Sequence, residues 1–382
     1  MRMTFDAPNF DEVEISVFGK GYGECIVAHY GDGNWIIIDS FLSEDTKRPI
    51  ALEYLRRIGV DARTQVKFVI ASHWHRDHIR GITECIDECE SAAFVYSHAL
   101  NRDEFRSLIA VYKAKKLIDD VAVRELYDSL EIVLARKARG VSRTFALASP
   151  DRRIVSKTLT SGLLQELITL SPSDVRCLQS LIEIGSTLED VKRDIICQPM
   201  KNENDLSIVT WLTLGSINVL LGADLEEPKP SDPDLGWNAI ILSPGRPQNL
   251  QASAFKVGHH GSPNAEHPQI WSDLLANDRI AIVTAYNALN RARPRRADAE
   301  RILNQTQTAF LTSVPKLSRK VKSSPAIDHL TSVIKRRRPI WSLGHVRLRG
   351  DANQNPTVWR VELDGAAGHL KDLINELDRW SD

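Results

Sequence analysis

The stretch that decides the fold is "ASHWHRDHIRG", residues 71–81, which directly follows the apolar run "VKFVI". It places His73, His75, Asp77 and His78 within six positions. In an extended loop, residues i and i+2 point the same way, so His73 and His75 can bind one cation. Asp77 and His78 can then face a second cation. Imidazole and carboxylate suit zinc, manganese or iron. The spacing predicts one loop that supplies ligands for two metals.

Two later segments also end an apolar run at metal-binding residue types. In "INVLLGADLEE" the run ends at Asp224, whose two oxygens could bridge cations about 3.5–4 Å apart. In "ASAFKVGHHGS" it ends at His259 and His260, followed by a glycine that lets the backbone come close. Together the segments predict a centre of two divalent metal ions, Zn²⁺ or Mn²⁺. Either histidine of the pair is a candidate ligand, and His259 is preferred.

The segments around these residues alternate strand-like and helix-like patterns, as an α/β fold does. The apolar runs that predict strands are "VEISVF" (13–18), "CIVAHY" (25–30), "WIIID" (35–39), "VKFVIAS" (66–72), "SIVTWLTL" (207–214), "INVLL" (217–221), "ASAFKV" (252–257), "RIAIVTAY" (279–286) and "VWRVEL" (358–363). Helical patterns are expected at about 46–58 and 367–380. Because each candidate ligand segment follows a strand, the ligands are expected at strand ends.

The region 101–196 has a different texture. Apolar residues recur there at helical spacing, as at Val123, Leu126, Leu130 and Val133. The sequence therefore predicts a helical insertion between two parts of an α/β domain.

Composition places the chain among ordinary globular proteins. It has 382 residues, 42% hydrophobic and 26% charged. No apolar run approaches the roughly 20 residues that span a bilayer, and the start is too acidic and broken for a signal peptide. Five scattered cysteines argue against a disulfide framework. We expect a soluble, cytoplasmic protein with no membrane partner.

Four motifs in fixed order carry a family resemblance: "SHWHRDHIRG", "NDLSIVTWL", "LLGADLEE" and "FKVGHHGS". The chain resembles the metallo-β-lactamase superfamily and, within it, the hydrolase domain of the DNA-uptake competence protein ComEC and its soluble relatives. The resemblance covers roughly residues 13–100 and 200–312. It implies a four-layer αβ/βα sandwich, with a hydrolase domain at 1–100 and 197–382 interrupted by the helical insertion at 101–196.

The resemblance also implies a role for each ligand residue. His73 and His75 would bind the first metal, and Asp77 and His78 the second. Asp224 would bridge the two metals, and one residue of the "HH" pair would complete the second site.

Further positions follow from the same resemblance or depart from it. Asp39 matches a carboxylate that hydrogen-bonds and orients the metal histidines. The superfamily's third histidine for the first metal has no sure counterpart, and His98 is the best candidate. In "NRARPRR" Asn290 matches the relatives, whereas Arg293 and Arg295 replace histidines and become candidate substrate contacts. His75 follows the general superfamily pattern, since ComEC relatives usually carry aspartate there.

Charge is unevenly placed along the chain. Residues 291–349 hold fifteen Lys or Arg against three acidic residues, although the whole chain carries a net charge of −1. Such a segment could steer a polyanion, and nucleic acid or another phosphodiester substrate is the expected partner. The alternatives are a solvated surface, a docking face for an acidic protein, or neutralisation of acidic helices in the insertion.

These observations predict a metal-dependent hydrolase, a phosphodiesterase or nuclease that acts on nucleic acid through a metal-activated water. Asp77 and His260 are the candidates for handling the proton. One alternative is a hydrolase of small molecules such as a cyclic nucleotide, a lipid head group or a lactone. Another is an effector hydrolase of a defence or toxin system, controlled by a protein partner that docks on the helical insertion.

Overall fold

The computed structural model describes residues 6–100, 107, 121–192, 203–228, 232–288, 291–316 and 340–377. The strands in these ranges are β1 (Glu12–Gly19), β2 (Glu24–Tyr30), β3 (Trp35–Ile38), β4 (Val66–Ile70), β5 (Ala93–Ser97), β6 (Phe145–Ala148), β7 (Arg152–Thr158), β8 (Leu164–Thr169), β9 (Thr210–Leu214), β10 (Ile217–Leu221), β11 (Ala252–Lys256), β12 (Leu275–Val283), β13 (Tyr286–Ala288), β14 (Arg291–Arg293), β15 (Ala309–Leu311), β16 (Pro315–Lys316), β17 (Ile340–Trp341), β18 (Gly344–Asp351), β19 (Arg360–Gly365) and β20 (Gly368–His369). The α-helices are α1 (Ile50–Arg57), α2 (Ala62–Gln65), α3 (Arg76–Ile79), α4 (Ile82–Glu88), α5 (Val121–Ala138), α6 (Asp174–Lys192), α7 (Gly236–Leu242), α8 (Arg296–Gln305) and α9 (Leu370–Leu377).

Most strands belong to two large mixed sheets. Within the described ranges, the first runs β19-β18-β1-β2-β3-β4-β5-β6 and the second runs β20-β15-β12-β11-β10-β9-β8-β7. Helices α1, α4, α5 and α6 pack on the outer face of the first sheet, and α7, α8 and α9 on that of the second. The order of helices, sheet, sheet and helices confirms the four-layer αβ/βα sandwich.

The two sheets share one apolar core between them. Ile15 and Ile26 of the first sheet pack in the same buried cluster as Leu212 and Val219 of the second. Side chains alternate across a strand, so the neighbouring residues along each strand face the outer helices instead of this shared core. This core fixes the spacing of the sheets, and with it the distance between groups at their edges.

Parallel strands bring the candidate ligand loops together. Strands β3 to β6 run parallel in the first sheet, as do β10, β11, β12 and β15 in the second. Strands β4, β10 and β11 end at Ile70, Leu221 and Lys256, directly before the predicted ligands. In sheets of this kind the carboxyl ends of the strands form the binding crevice.

The predicted helical insertion at 101–196 contains strands as well as helices, so its purely helical character is wrong. Strand β6 extends the first sheet beside β5, and β7 and β8 extend the second sheet beside β9. Their sequences gave little signal because β6 is short and β7 is a largely exposed edge strand with charged residues. Residues 101–106 and 193–200 lie outside the described residues, so the limits of the insertion stay a prediction.

Part of the basic segment lies inside the protein. Arg347 and Arg349 lie on β18, are almost fully buried and form ion pairs with Glu362 and Glu14. They therefore add nothing to a basic surface, because burial against carboxylates removes their charge from solvent. Residues 317–339, with seven of the fifteen basic residues, lie outside the described ranges. None of the described helices is both long and apolar enough to cross a bilayer.

Candidate metal centre

The motif loop leaves the end of β4 and turns at once into the short helix α3. His73 lies in the loop between them and is buried, whereas the side chain of His75 is 38% exposed. Asp77 and His78 lie in α3 and are both buried. The loop therefore directs His73 and His78 inward and leaves His75 at the rim.

Four ligand atoms from three loops converge in the interior. His78 Nε2 lies 3.2 Å from Asp224 Oδ2 and 3.5 Å from Asp77 Oδ2. His260 Nε2 lies 3.4 Å from each of the same two oxygens. Two ligands held at 2.0–2.2 Å in tetrahedral geometry around one ion are about 3.3–3.6 Å apart. The spacing of these atoms is therefore that of ligands around a single cation.

Several buried atoms of this cluster have no hydrogen-bond partner among the described residues. They are His73 Nε2, His78 Nε2, His260 Nε2 and Asp224 Oδ1. Buried polar atoms are nearly always satisfied, and a site for an ion is one of the standard reasons for an exception. The donor set of imidazole nitrogen and carboxylate oxygen fits a divalent transition metal.

The electrostatics of the cluster favour a cation as well. Burial opposes the charged form of His260, but the carboxylates of Asp224, Asp77 and Glu24 outweigh it and raise its pKa to about 9. Burial likewise opposes ionisation of Asp224, yet the positive imidazoles of His78 and His260 hold its pKa well below the ordinary value. The carboxylates are thus balanced by protons on the imidazoles, and a bound metal would replace those protons.

Asp39 orients the histidine of the first sheet. Its Oδ2 accepts a hydrogen bond from His78 Nδ1 at 2.8 Å and another from Ser72 Oγ at 2.6 Å. Ser72 Oγ also lies 3.0 Å from His73 Nδ1. These contacts occupy the Nδ1 atoms and leave both Nε2 atoms aimed at the cluster, which is the arrangement by which outer carboxylates orient metal histidines.

The second sheet has a matching support that the sequence did not reveal. His260 Nδ1 contacts Thr284 Oγ1 at 3.1 Å, and Thr284 donates a hydrogen bond to Glu24. Glu24, His78, Asp224 and His260 offer ligand atoms within 4.8 Å of one another. Because Glu24 meets the Nδ1 side of His260, at 3.7 Å, we assign it to orienting the ring rather than to binding the ion.

Lys256 is the other residue that sequence reasoning missed. Its ammonium lies 2.5 Å from Glu24 Oε1 and 3.8 Å from Asp224 Oδ1, and the side chain is fully buried. It also donates to the carbonyl of Ala223. Asp224 therefore presents Oδ1 to the lysine and Oδ2 to the imidazoles. A charged residue in the apolar run "ASAFKV" was the available signal, because a lysine is almost never buried without a partner.

Backbone strain collects at the strand ends that carry the centre. Asp39, Ala223, His259 and His260 adopt positive φ values of 61°, 45°, 43° and 53°. Residues other than glycine rarely adopt this region, and such strain concentrates at functional sites. The left-handed pair turns His260 inward and His259 outward.

The structure therefore favours His260 over His259 for the inner position. His259 Nδ1 lies 3.1 Å from Glu226 Oε1, and its Nε2 lies 3.4 Å from the side-chain amide of Asn204. Its side chain is 23% exposed, whereas that of His260 is 3% exposed. The sequence-based preference for His259 as the ligand that completes the second site is therefore corrected, and His260 takes that place.

The remaining predicted residues lie further out or beyond the described ranges. His98 begins a 3-10 turn after β5 and is not one of the described residues whose ligand atoms converge. Asn290 lies outside the described residues. Arg293 pairs with Asp298 at 3.3 Å, and Arg295 is exposed at the start of α8.

Aromatic and basic side chains surround the mouth of the centre. The ring of Tyr286 stacks on His260, with ring centroids 4.9 Å apart, and lies 6.0 Å from the ring of Tyr22. Arg293 is the cross-strand partner of Tyr286 in the β13–β14 hairpin. Arg76, next to His75, is exposed. Aromatic and basic residues thus adjoin the ligands His260 and His75.

Close backbone packing at Gly222 gives a first prediction. A Cβ at this position would lie 2.9 Å from the carbonyl oxygen of Lys256 and 3.1 Å from the amide nitrogen of Gly258. Because these are backbone atoms, Gly222→Ala should separate β10 from the turn after β11. We expect the free energy of unfolding to fall by about 1–3 kcal/mol and Zn²⁺ affinity to fall with it, as overpacking disturbs the adjoining Asp224.

Urea denaturation and calorimetric Zn²⁺ titration measure both effects. Gly185→Ala is the matched control, because that glycine lies in α6 and a Cβ added there would meet nothing within 4 Å. The control should be at least as stable as the parent, since alanine is the better helix former. Equal behaviour of the two variants would refute the close approach at Gly222.

Parts of the chain are similar to known proteins. A family model described as the metallo-beta-lactamase superfamily matches residues 19–115. ComE operon protein 3 of Bacillus subtilis (strain 168) is 27% identical over 128 residues, which is 30% of this chain and 15% of that protein. The chain thus spans a small part of the length of this curated relative.

Two solved structures are also similar to this chain. AidC, a dizinc quorum-quenching lactonase in complex with a product, is 16% identical with a TM-score of 0.29, over 53% of this chain and 56% of that one. The hydrolase AbOPH in the beta lactamase superfamily is 12% identical with a TM-score of 0.28, over 45% and 71%. The matched family model shows that residues 19–115 are similar to the metallo-β-lactamase superfamily, and the two-sheet sandwich with the ligand motif at its edge has the fold expected of that similarity.

Proposed function

We propose that this protein is a metal-dependent phosphodiesterase that acts on nucleic acid. The observation that carries the proposal is the buried set of His78, His260, Asp77 and Asp224, whose ligand atoms have the spacing of a metal site. His73 and His75 adjoin this set, with ring centroids 4.7 Å apart, and would hold a second cation. Divalent cations there, Zn²⁺ or Mn²⁺, would polarise a phosphoryl oxygen and lower the pKa of a water from about 15.7 to about 7.

The side chains around the centre supply positioning and proton transfer. Arg76, which is exposed beside His75, and Arg293, which also pairs with Asp298, are the candidates for binding phosphate oxygens, for which the guanidinium fork is well suited. Water attacks phosphorus, one P–O bond forms, and the P–O bond to the leaving group breaks. Asp77, whose Oδ2 faces the cluster, takes the proton released from the water and passes it to the leaving oxygen. His260 was the other candidate for this role, but its Nε2 faces the ion position and its Nδ1 contacts Thr284, so we assign it to holding the ion.

The mouth favours a nucleotide over a small apolar substrate. Tyr22 and Tyr286 offer aromatic faces on which a base can stack, worth about 1–3 kcal/mol per base. Stacking of this kind tolerates any base, so we expect the protein to cleave nucleic acid without strong sequence preference.

The test is a substrate panel with metal-stripped protein reloaded with Mn²⁺, Zn²⁺ or Mg²⁺. We expect cleavage of single-stranded DNA or RNA and of bis-p-nitrophenyl phosphate, and its loss with chelator. An Asp77→Asn variant purified in the same way controls for contaminating nucleases. If the protein cleaved only a cyclic nucleotide or a lactone, it would be a small-molecule hydrolase instead. Equal cleavage of nucleic acid by the Asp77→Asn variant would refute the proposal.

A further inference from the structure

Glu203 lies beside His75, at the second, outer cation position that was assigned above to His73 and His75. It begins the 3-10 turn Glu203–Leu206 that precedes β9. Its Oε2 lies 3.4 Å from Nε2 of His75, and the two side chains are 26% and 38% exposed. This distance lies within the 3.2–3.5 Å range between the inner ligand atoms, and it matches two ligands of one tetrahedral ion.

The outer position is otherwise incomplete. His73 Nε2 is buried and unpartnered, and it lies 4.0 Å from Asp224 Oδ2. With His75 these residues offer two imidazole nitrogens and one shared carboxylate oxygen. A fourth protein or water ligand is needed for a four-coordinate ion, and among the described side chains the carboxylate at His75 is that of Glu203.

We propose that Glu203 is a ligand of the outer divalent cation, together with His73, His75 and Asp224. The inference rests on the metal centre of the proposed function, and it assigns to a carboxylate the place where a third histidine was sought at His98. A carboxylate adds negative charge and a hard oxygen donor, so the outer position accepts Mn²⁺ more readily than an all-histidine set does. Its partial exposure makes the outer cation the more exchangeable of the two.

A plain ion pair between His75 and Glu203 is the competing explanation. Pairs as exposed as this one contribute about 0–1 kcal/mol and impose no metal stoichiometry. Metal content therefore separates the two explanations without reference to catalysis.

The experiment titrates the metal-stripped protein with Zn²⁺ and with Mn²⁺, using calorimetry and elemental mass spectrometry. The parent should bind two equivalents. Glu203→Ala and Glu203→Gln should keep the inner ion and bind the outer one at least about 10–100-fold more weakly. Glu203→His should restore Zn²⁺ binding more than Mn²⁺ binding. Asp205→Asn, on the same turn beside Arg176, removes the same charge and should bind as the parent does.

Two equivalents bound with parental affinity by both Glu203→Ala and Glu203→Gln would overturn the inference. So would a parent that binds a single ion whose affinity the variants do not change. Circular dichroism establishes that each variant is folded. A chain that binds two ions through Glu203 but cleaves no phosphodiester would refute the proposed substrate and leave this inference standing.

Discussion

Asp224→Asn should lower kcat/KM for phosphodiester cleavage by about 10³-fold or more. The single oxygen Oδ2 faces Nε2 of His78 at 3.2 Å, of His260 at 3.4 Å and of His73 at 4.0 Å. It is therefore the only described carboxylate oxygen shared by both cation positions. The amide is neutral and can turn an NH₂ group toward the site, so both positions lose a negative ligand, and loss of one preorganised charged group commonly costs 10²–10³ in rate.

Initial rates and metal content of the same samples measure this effect. Asp278→Asn is the control, because Asp278 is an exposed aspartate in the first half of β12. The metal centre lies at the other, carboxyl ends of the parallel strands. The control should keep parental rate and metal content. If Asp224→Asn retained two ions and more than a tenth of the parental rate, a shared carboxylate could not be the basis of catalysis.

Lys256→Met should lower the free energy of unfolding by about 3–5 kcal/mol. Removal of one partner from a buried ion pair leaves an uncompensated charge in the interior. Here the lysine is the cation that faces both Glu24, at 2.5 Å, and Asp224, at 3.8 Å. Because the pair joins β2 of one sheet to β11 of the other, the loss should appear as a single cooperative shift of the unfolding transition.

Urea denaturation of metal-free protein measures the change, so that binding of an ion does not mask it. The double variant Glu24→Gln, Lys256→Met removes both charges and should recover most of the lost stability. A single variant as stable as the parent would show that the ammonium and the carboxylate do not interact in the folded state.

Much of the centre could be predicted because its residues are clustered in sequence. His73, His75, Asp77 and His78 lie in one loop, and such density is difficult to explain without a site. The strand before each ligand loop was also readable, since β4, β10 and β11 are largely apolar runs of the kind found in parallel sheets. Sequence therefore predicted both the residue types and their place at strand ends.

The supporting residues could not be predicted in the same way. Glu24, Lys256 and Glu203 come from separate strands and turns, and only the packing of the two sheets brings them to the centre. The choice between His259 and His260 was likewise open, because it depends on the left-handed backbone of the turn. In an ordinary extended loop without this left-handed turn, His259 would have pointed inward and His260 outward.

Charge misled the interpretation of the chain's last part. The alternation of Val346 and Leu348 with Arg347 and Arg349 is a strand pattern, yet the arginines favoured a surface segment. Their burial depends on Glu14 and Glu362, which arrive from β1 and β19. Partners so distant in sequence leave no local signal, and a count of basic residues overstated the field available to a polyanion.

The inner ligands come from both halves of the sandwich: Asp77 and His78 follow β4, whereas Asp224 and His260 follow β10 and β11. An ion held among them would act as a cross-link between segments far apart in sequence, and because it binds the folded state and not the unfolded chain it would stabilise the fold by mass action. Loading with metal should therefore protect the fold as a whole from proteolysis. Fragments produced by a cut between the two halves should stay associated until the ion is chelated.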